Sequence, residues 1–125
     1  MEPSNLRFTK DHEWIVSKGS PARVGITDHA QEELGDIVYV ELPEVGRHVR
    51  AGEAVGTIES VKAVSEVYCP VGGTVAEVNR ALTDAPETVN RDPYGEGWLF
   101  ALTVDTPGEV DALMTPETYG AFVKG

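Results

Sequence analysis

Short stretches of alternating apolar and polar residues, separated by glycine and proline, run along most of the chain. β-Branched and aromatic residues dominate these stretches, a composition typical of strands. The predicted strands lie at 6–9, 13–16, 22–26, 36–42, 54–59, 63–68, 74–78 and 98–104. Many short strands joined by Gly and Pro turns favour a mainly β fold, a flattened sandwich or barrel.

Helical signals are few and short. Thr27 is a suitable N-cap with Asp28 in the first turn, and Gly35 supplies a left-handed stop for a helix of about two turns. A C-terminal helix over about 115–123 is predicted from Thr115, Pro116 and Glu117, in the N-cap, first-position and first-turn places. Shorter helical turns are expected within 80–90 and 109–114, and residues 1–5 are expected to be flexible.

The predicted strand over 36–42 alternates along its length. Ile37, Tyr39 and Glu41 are expected on one face, and Val38, Val40 and Leu42 on the other.

The segment 54–68 predicts a hairpin that turns at Ser60 to Ala63. Two-residue hairpin turns favour Asn-Gly or Asp-Gly, yet Val61 and Lys62 stand there. We therefore expect a type I turn, which admits most residue types. A lysine at such a tip projects into solvent, and Lys62 is one of only four lysines in the chain.

Length and charge limit the function classes. A chain of 125 residues fits one domain, 1–125. Its net charge of −11 disfavours nucleic-acid binding. The longest apolar run, 98–102, is too short to span a bilayer, and no leader pattern precedes the first strand. With Cys69 as the lone cysteine, these features predict a protein of the prokaryotic cytoplasm.

Residues equipped for catalysis or metal binding are not evident. His12, His29 and His48 are far apart in sequence and match no metal-binding spacing, so no metal site is expected. No glycine-rich run forms a phosphate loop. Cys69, before Pro70, is expected to be a small buried hydrophobic residue. These absences favour a carrier or a binding module over an enzyme.

Several segments together resemble a known family. Glu59-Ser60-Val61-Lys62-Ala63 resembles the lipoyl attachment sequence of glycine cleavage system H proteins. The similarity covers most of residues 6–122. It includes the segments 11–14 (DHEW), 24–27 (VGIT), 34–38 (LGDIV), 41–46 (ELPEVG), 89–90 (VN) and 92–98 (DPYGEGW).

This resemblance implies a barrel-sandwich fold, a hybrid of β-sandwich and barrel like that of lipoyl domains. It also implies a non-catalytic shuttle that carries lipoic acid as a lipoamide on Lys62. The lipoamide would accept an aminomethyl group from a pyridoxal-phosphate glycine decarboxylase and present it to a tetrahydrofolate-dependent aminomethyltransferase. A dihydrolipoamide dehydrogenase would reoxidise it. The partners implied are these three enzymes and the lipoylating enzymes, with no nucleic acid and no membrane.

The resemblance also implies roles for other residues. Glu59 and Gly73 match positions that help lipoylating enzymes recognise the hairpin. Glu13, Asp11 and Glu66 match positions in a cleft that holds the protonated amine of the loaded arm. A carboxylate suits that task because it favours the ammonium form. Trp14 and Trp98 are expected to anchor the core.

Four alternatives remain open on sequence. One is the lipoyl domain of a 2-oxoacid dehydrogenase, although Val61 stands where such domains tend to have Asp. A biotin carrier would have methionines flanking the lysine. An enzyme that uses Lys62 as a nucleophile would require a desolvated amine. A β-sandwich interaction module would carry no cofactor.

Overall fold

The computed structural model describes residues 5–16 and 20–124. The segment 1–5, expected to be flexible, lies outside the described residues except for Asn5. The turn predicted between the second and third strands also lies partly outside them.

Nine strands and five helices are present in the described ranges. The strands are β1 (Leu6–Phe8), β2 (Glu13–Val16), β3 (Ala22–Ile26), β4 (Ile37–Glu41), β5 (His48–Val49), β6 (Ala54–Ser60), β7 (Val64–Tyr68), β8 (Gly73–Val78) and β9 (Phe100–Val104). The helices are α1 (Asp28–Leu34), α2 (Ala81–Asp84), α3 (Thr88–Arg91), α4 (Gly108–Asp111) and α5 (Pro116–Lys124). The mainly β fold with short helices and a C-terminal helix is confirmed.

The strands form two antiparallel sheets. One has six strands in the order β1-β2-β3-β9-β8-β5, and the other has three in the order β4-β6-β7. Neither sheet closes on itself within the described residues, so the architecture is that of a sandwich. β2 pairs antiparallel with β3, with Trp14 opposite Gly25.

The main core contains apolar side chains from both sheets. Val24 and Phe100 come from the six-stranded sheet, and Ile58 and Val67 from the three-stranded sheet, all almost fully buried. A smaller cluster, formed by Leu6, Phe8, Trp14 and Tyr119, attaches α5 to the first strands. The three-stranded sheet is therefore held on the core by its inner face, and the turn between β6 and β7 lies at one end of it.

The hairpin expected over 54–68 is confirmed as β6 and β7, with Glu59 paired to Val64 at its outer end. The strict alternation expected over 36–42 is wrong. A register shift between Ile37 and Tyr39 places both Ile37 and Val40 inward and leaves Val38 and Tyr39 exposed. A bulge of this kind changes which face a side chain occupies, and the sequence period does not reveal it.

The helix caps follow the sequence signals. The Thr27 hydroxyl accepts a hydrogen bond from the Ala30 N–H, and Gly35 ends α1 with φ of +79°. The Thr118 N–H donates to the Thr115 hydroxyl at the start of α5, which runs to Lys124, one residue beyond the prediction. These contacts fix both ends of α1 and the start of α5.

Candidate functional site

Lys62 lies exposed at the tip of the β6–β7 hairpin, where the sequence predicted it. No carboxylate of the described residues forms an ion pair with its ammonium group. Val61 and Val64, on either side, are about two-thirds exposed. The amine is thus presented in an apolar and open setting, accessible to a modifying enzyme.

The hairpin tip is held by Ser60, a residue whose role was not predicted from the sequence. Its hydroxyl accepts hydrogen bonds from the N–H groups of Lys62 at 3.3 Å and Ala63 at 3.1 Å. The Ser60 N–H also donates to the Ala63 carbonyl at 2.8 Å. A buried serine therefore supplies the order that Asn-Gly would provide in an ordinary tight hairpin.

The connection between α1 and β4 supports the tip from the side. The Val61 N–H donates to the Asp36 carbonyl at 3.0 Å. A Cβ atom built at Gly35 would lie 3.4 Å from Lys62 Cε, so the lysine side chain passes directly over this glycine. Gly35 thus ends α1 and lies beside the lysine stem.

Glu59 is exposed on the outer face of the three-stranded sheet, three residues before Lys62. It lies between Tyr39 of β4 and Val64 of β7 in the strand register. Both neighbours are more than half exposed. The carboxylate is therefore available to another protein on an otherwise apolar surface.

Gly73 begins β8 and is buried between β5 and β9. A Cβ atom at this position would lie 2.6 Å from the carbonyl oxygen of Thr103. That separation is far below van der Waals contact, so close strand packing alone requires glycine here.

Glu13 is buried at the start of β2, with 2% of its surface exposed. The Thr9 hydroxyl donates to one carboxylate oxygen at 2.7 Å, and the Tyr68 N–H donates to the other at 3.1 Å. Burial raises the pKa of Glu13 to about 7, although these two hydrogen bonds act in the opposite direction. Near neutral pH this carboxyl group is poised to bind or to release a proton.

A cavity of about 370 Å³ opens beside Glu13. Its lining includes Asp11 from the loop before β2, Glu13 from the start of β2, Tyr68 and Cys69 at the end of β7, and Met114 before α5. Of the three predicted cleft acids, the structure brings Asp11 and Glu13 together. Glu66 is exposed on β7 and lines a different groove, together with Glu41 and Thr57.

Two larger grooves, of about 550 and 520 Å³, run along β4 and the segment that follows it. Neither is lined by Asp11 or Glu13. The smaller cavity is the better candidate for a charged ligand, because it alone combines apolar walls with a buried carboxyl group of shifted pKa.

The family model described as "Glycine cleavage H-protein" matches residues 6–125. The chain belongs to the glycine cleavage H-protein family. It is 54% identical to the glycine cleavage system H protein of Anaeromyxobacter sp. (strain K) over 122 residues, covering 98% of this chain and 95% of that protein.

Other H-protein relatives agree. The glycine cleavage system H protein of Rubrobacter xylanophilus is 59% identical over 117 residues, covering 94% of this chain and 90% of that protein. The crystal structure of a glycine cleavage system H protein from Mycobacterium marinum superposes with a TM-score of 0.90. The two sequences are 42% identical, and the match covers 99% of this chain and 100% of the Mycobacterium marinum chain. Family and fold therefore agree along nearly the whole length.

In this H-protein chain, Trp14 and Cys69 are core residues, as predicted. The indole N–H of Trp14 donates to the carbonyls of Ile26 and Pro93. Burial raises the pKa of the Cys69 thiol to about 12, so the thiol stays protonated. Trp98 is half-buried beneath the guanidinium of Arg23, which lies 4.4 Å from its ring centroid.

Sequence reasoning about the H-protein chain missed one cluster. His12, His29 and Glu33 bring possible ligand atoms within 4.8 Å of one another, although the histidines are seventeen positions apart. Only the i, i+4 spacing of His29 and Glu33 on α1 could have pointed to part of it.

No helix among the described residues has the length and apolar character needed to cross a membrane.

Proposed function

We propose that this chain is a lipoyl carrier of the glycine cleavage system, with the lipoyl group in amide linkage to Lys62. The observation that carries the proposal is an exposed lysine at a hairpin tip whose backbone is held by Ser60 and Asp36. A modifying enzyme would meet a fixed loop with a free amine. When bound, the group would supply a cyclic disulfide. Its S–S bond can open so that one sulfur takes up an aminomethyl unit and the other becomes a thiol.

The dimensions of the chain fit such an arm. A lipoyl-lysine arm is on the order of 10–15 Å long, counting roughly ten bonds near 1.5 Å each. β7 leads from the tip to the cavity beside Glu13, and Val64 to Tyr68 spans about 13 Å at strand rise. An arm laid along β7 would therefore reach Glu13.

Glu13 and Asp11 are proposed to hold the amine of a loaded arm. A carboxylate stabilises an ammonium group, and the ammonium would in turn favour the charged form of Glu13. Glu66 lies on the outward side of β7, in phase with Val64 and Tyr68, and so along the path to the cavity. Its contact with the amine remains a prediction.

The proposed partners are a pyridoxal-phosphate glycine decarboxylase, a tetrahydrofolate-dependent aminomethyltransferase, a dihydrolipoamide dehydrogenase and the lipoylating enzymes. The net charge of −11 favours basic docking faces on them. In this scheme the chain catalyses no step itself and works in the prokaryotic cytoplasm. Exposure of Lys62 gives no support to a lysine-nucleophile enzyme, since such an amine is normally desolvated.

The proposal is tested by intact mass after expression in a host that lipoylates proteins. We expect one lipoyl increment in the native chain and none in Lys62→Arg. Lys124→Arg, at the end of α5, serves as the control and should keep the increment. Lys62→Arg, at the exposed hairpin tip, should change the free energy of unfolding by no more than about 0.5 kcal/mol. Glycine cleavage in a reconstituted system should stop with Lys62→Arg, and continued turnover would refute the proposal.

The cleft is tested separately, through the lifetime of the aminomethyl-loaded protein. We expect Glu13→Gln to shorten it without preventing lipoylation, whereas Glu41→Gln, in another groove, leaves it unchanged. Because the pKa of Glu13 is about 7, the ratio of native to Glu13→Gln lifetimes should increase from pH 6 to pH 8. A ratio that stays at one across this range would remove Glu13 from the cleft.

A further inference from the structure

His12, His29 and Glu33 form a compact group between the loop before β2 and helix α1. Their possible ligand atoms all lie within 4.8 Å of one another, and this is the only such group among residues 5–16 and 20–124. The rings of His12 and His29 are 4.6 Å apart between centroids, at 37° to each other. His12 stands between Asp11 and Glu13 in sequence, but none of the group's three side chains lines the cavity beside Glu13.

We propose that these three side chains bind a divalent ion of the zinc class. Two imidazoles and one carboxylate are a donor set that Zn²⁺ and neighbouring first-row ions prefer. At bond lengths of about 2.0–2.1 Å, two ligand atoms of a tetrahedral site lie about 3.3 Å apart. His29 Nε2 and Glu33 Oε1 are 3.2 Å apart, so one edge of the site already has this spacing.

Hydrogen bonds on the Nδ1 side of its ring hold His12, the third ligand, in place. His12 Nδ1 lies 2.8 Å from the hydroxyl oxygen of Tyr119, which lies 2.7 Å from the Thr27 hydroxyl. With Nδ1 in that bond, Nε2 of His12 is left as the ligand atom. Metal-binding histidines characteristically have the other ring nitrogen fixed in this way.

The backbone also holds His12 in an unusual position. It has φ of +66°, the only positive φ outside glycine in the described ranges. This conformation aims the ring at α1, and the i, i+4 spacing places His29 and Glu33 on one face of that helix. Both α1 side chains are partly exposed, so small rotations can close the remaining distance and a water molecule can fill the fourth position.

The test is titration of the tag-free, unlipoylated chain with Co²⁺, followed by its visible absorption, and with Zn²⁺ in competition. We expect one Co²⁺ per chain, displaced by Zn²⁺. His29→Ala and His12→Asn should each weaken binding at least tenfold. Asparagine is chosen at position 12 because it tolerates positive φ. Tyr119→Phe, which removes only the hydroxyl, should weaken binding by about 10- to 100-fold.

His48→Ala is the matched control. His48 also faces a carboxylate, with Nε2 2.7 Å from Asp105, but no third ligand among the described residues completes a group there. The His48→Ala variant should bind Co²⁺ as the native chain does. Absence of binding in excess Co²⁺, or retention of full affinity in His29→Ala, would overturn the proposal. Equal weakening in His48→Ala would do so too. None of these results depends on lipoylation or on glycine cleavage.

Discussion

The N–H of Val61 donates a 3.0 Å hydrogen bond to the carbonyl oxygen of Asp36. Through this bond the connection between α1 and β4 holds the tip of the hairpin that carries Lys62. The two residues are 25 positions apart in sequence, and both lie at the outer end of the three-stranded sheet. The candidate attachment lysine therefore stands on a loop braced from two directions, by Ser60 within the hairpin and by Asp36 beside it.

Gly35→Ala should disturb this support. Gly35 has φ of +79° and ψ of −155°, a region almost exclusive to glycine, and an L-residue there costs about 1–3 kcal/mol. The new Cβ would lie 3.4 Å from Lys62 Cε, an ordinary contact distance, so the cost comes from the backbone conformation. We expect the free energy of unfolding to fall by this amount in urea denaturation and the lipoylation rate to fall with it.

Gly108→Ala is the control for Gly35→Ala, because a Cβ at position 108 has no atom within 4 Å. It should leave stability equal or slightly higher, since alanine favours a helix more than glycine does. Equal destabilisation by both changes would contradict the conformational argument.

Ser60→Ala should loosen the hairpin tip. It removes the acceptor for the N–H groups of Lys62 and Ala63, a loss of about 1 kcal/mol because water can replace part of it. The effect should be seen as lower thermal stability and slower lipoylation. Ser65→Ala, exposed on β7, should change neither quantity. If Ser60→Ala is lipoylated at the native rate, the order of the tip does not matter to the modifying enzyme.

Glu13 should make stability depend on pH. The folded pKa is raised from 4.5 to about 7, so the folded state holds the proton more tightly than the unfolded state. Its contribution is therefore most favourable below about pH 4.5 and is lost as pH rises through 7, by up to about 3 kcal/mol. Glu13→Gln removes this titration. The difference in unfolding free energy, variant minus native, should increase from pH 5 to pH 8; parallel curves would contradict the buried acid.

Gly73→Ala should destabilise the six-stranded sheet. The added methyl group would approach the Thr103 carbonyl to 2.6 Å, and overpacking of this kind costs about 1–3 kcal/mol. Gly120→Ala, with open space at its Cβ, is the control in thermal denaturation. The lipoylation rate of folded Gly73→Ala then tests the predicted recognition role. A lipoylation rate that falls by more than the loss of folded protein would support the recognition role. A native lipoylation rate would mean that strand packing alone explains the glycine.

The strand and hairpin pattern could be predicted because alternation, glycine and proline act locally. Helix ends could be predicted for the same reason from Thr27, Gly35 and Thr115, since a cap is a contact between residues close in sequence. The bulge in β4 could not be predicted, because it depends on how Ile37 and Val40 fit the core between two sheets. The bonding of Ser60 to the turn was a local signal that could have been recognised.

The kind of fold, the hairpin from 54 to 68 and the lysine at its tip could all be predicted before any coordinates were known. These follow from side-chain period and turn chemistry over a few residues at a time. Which distant groups meet depends on the packed fold. Packing buries Glu13, which raises the pKa of Glu13 despite the hydrogen bond from the Tyr68 N–H, and it brings His12 to His29 on α1. Burial and proximity between separate elements depend on packing of the whole chain, and no local pattern encodes them.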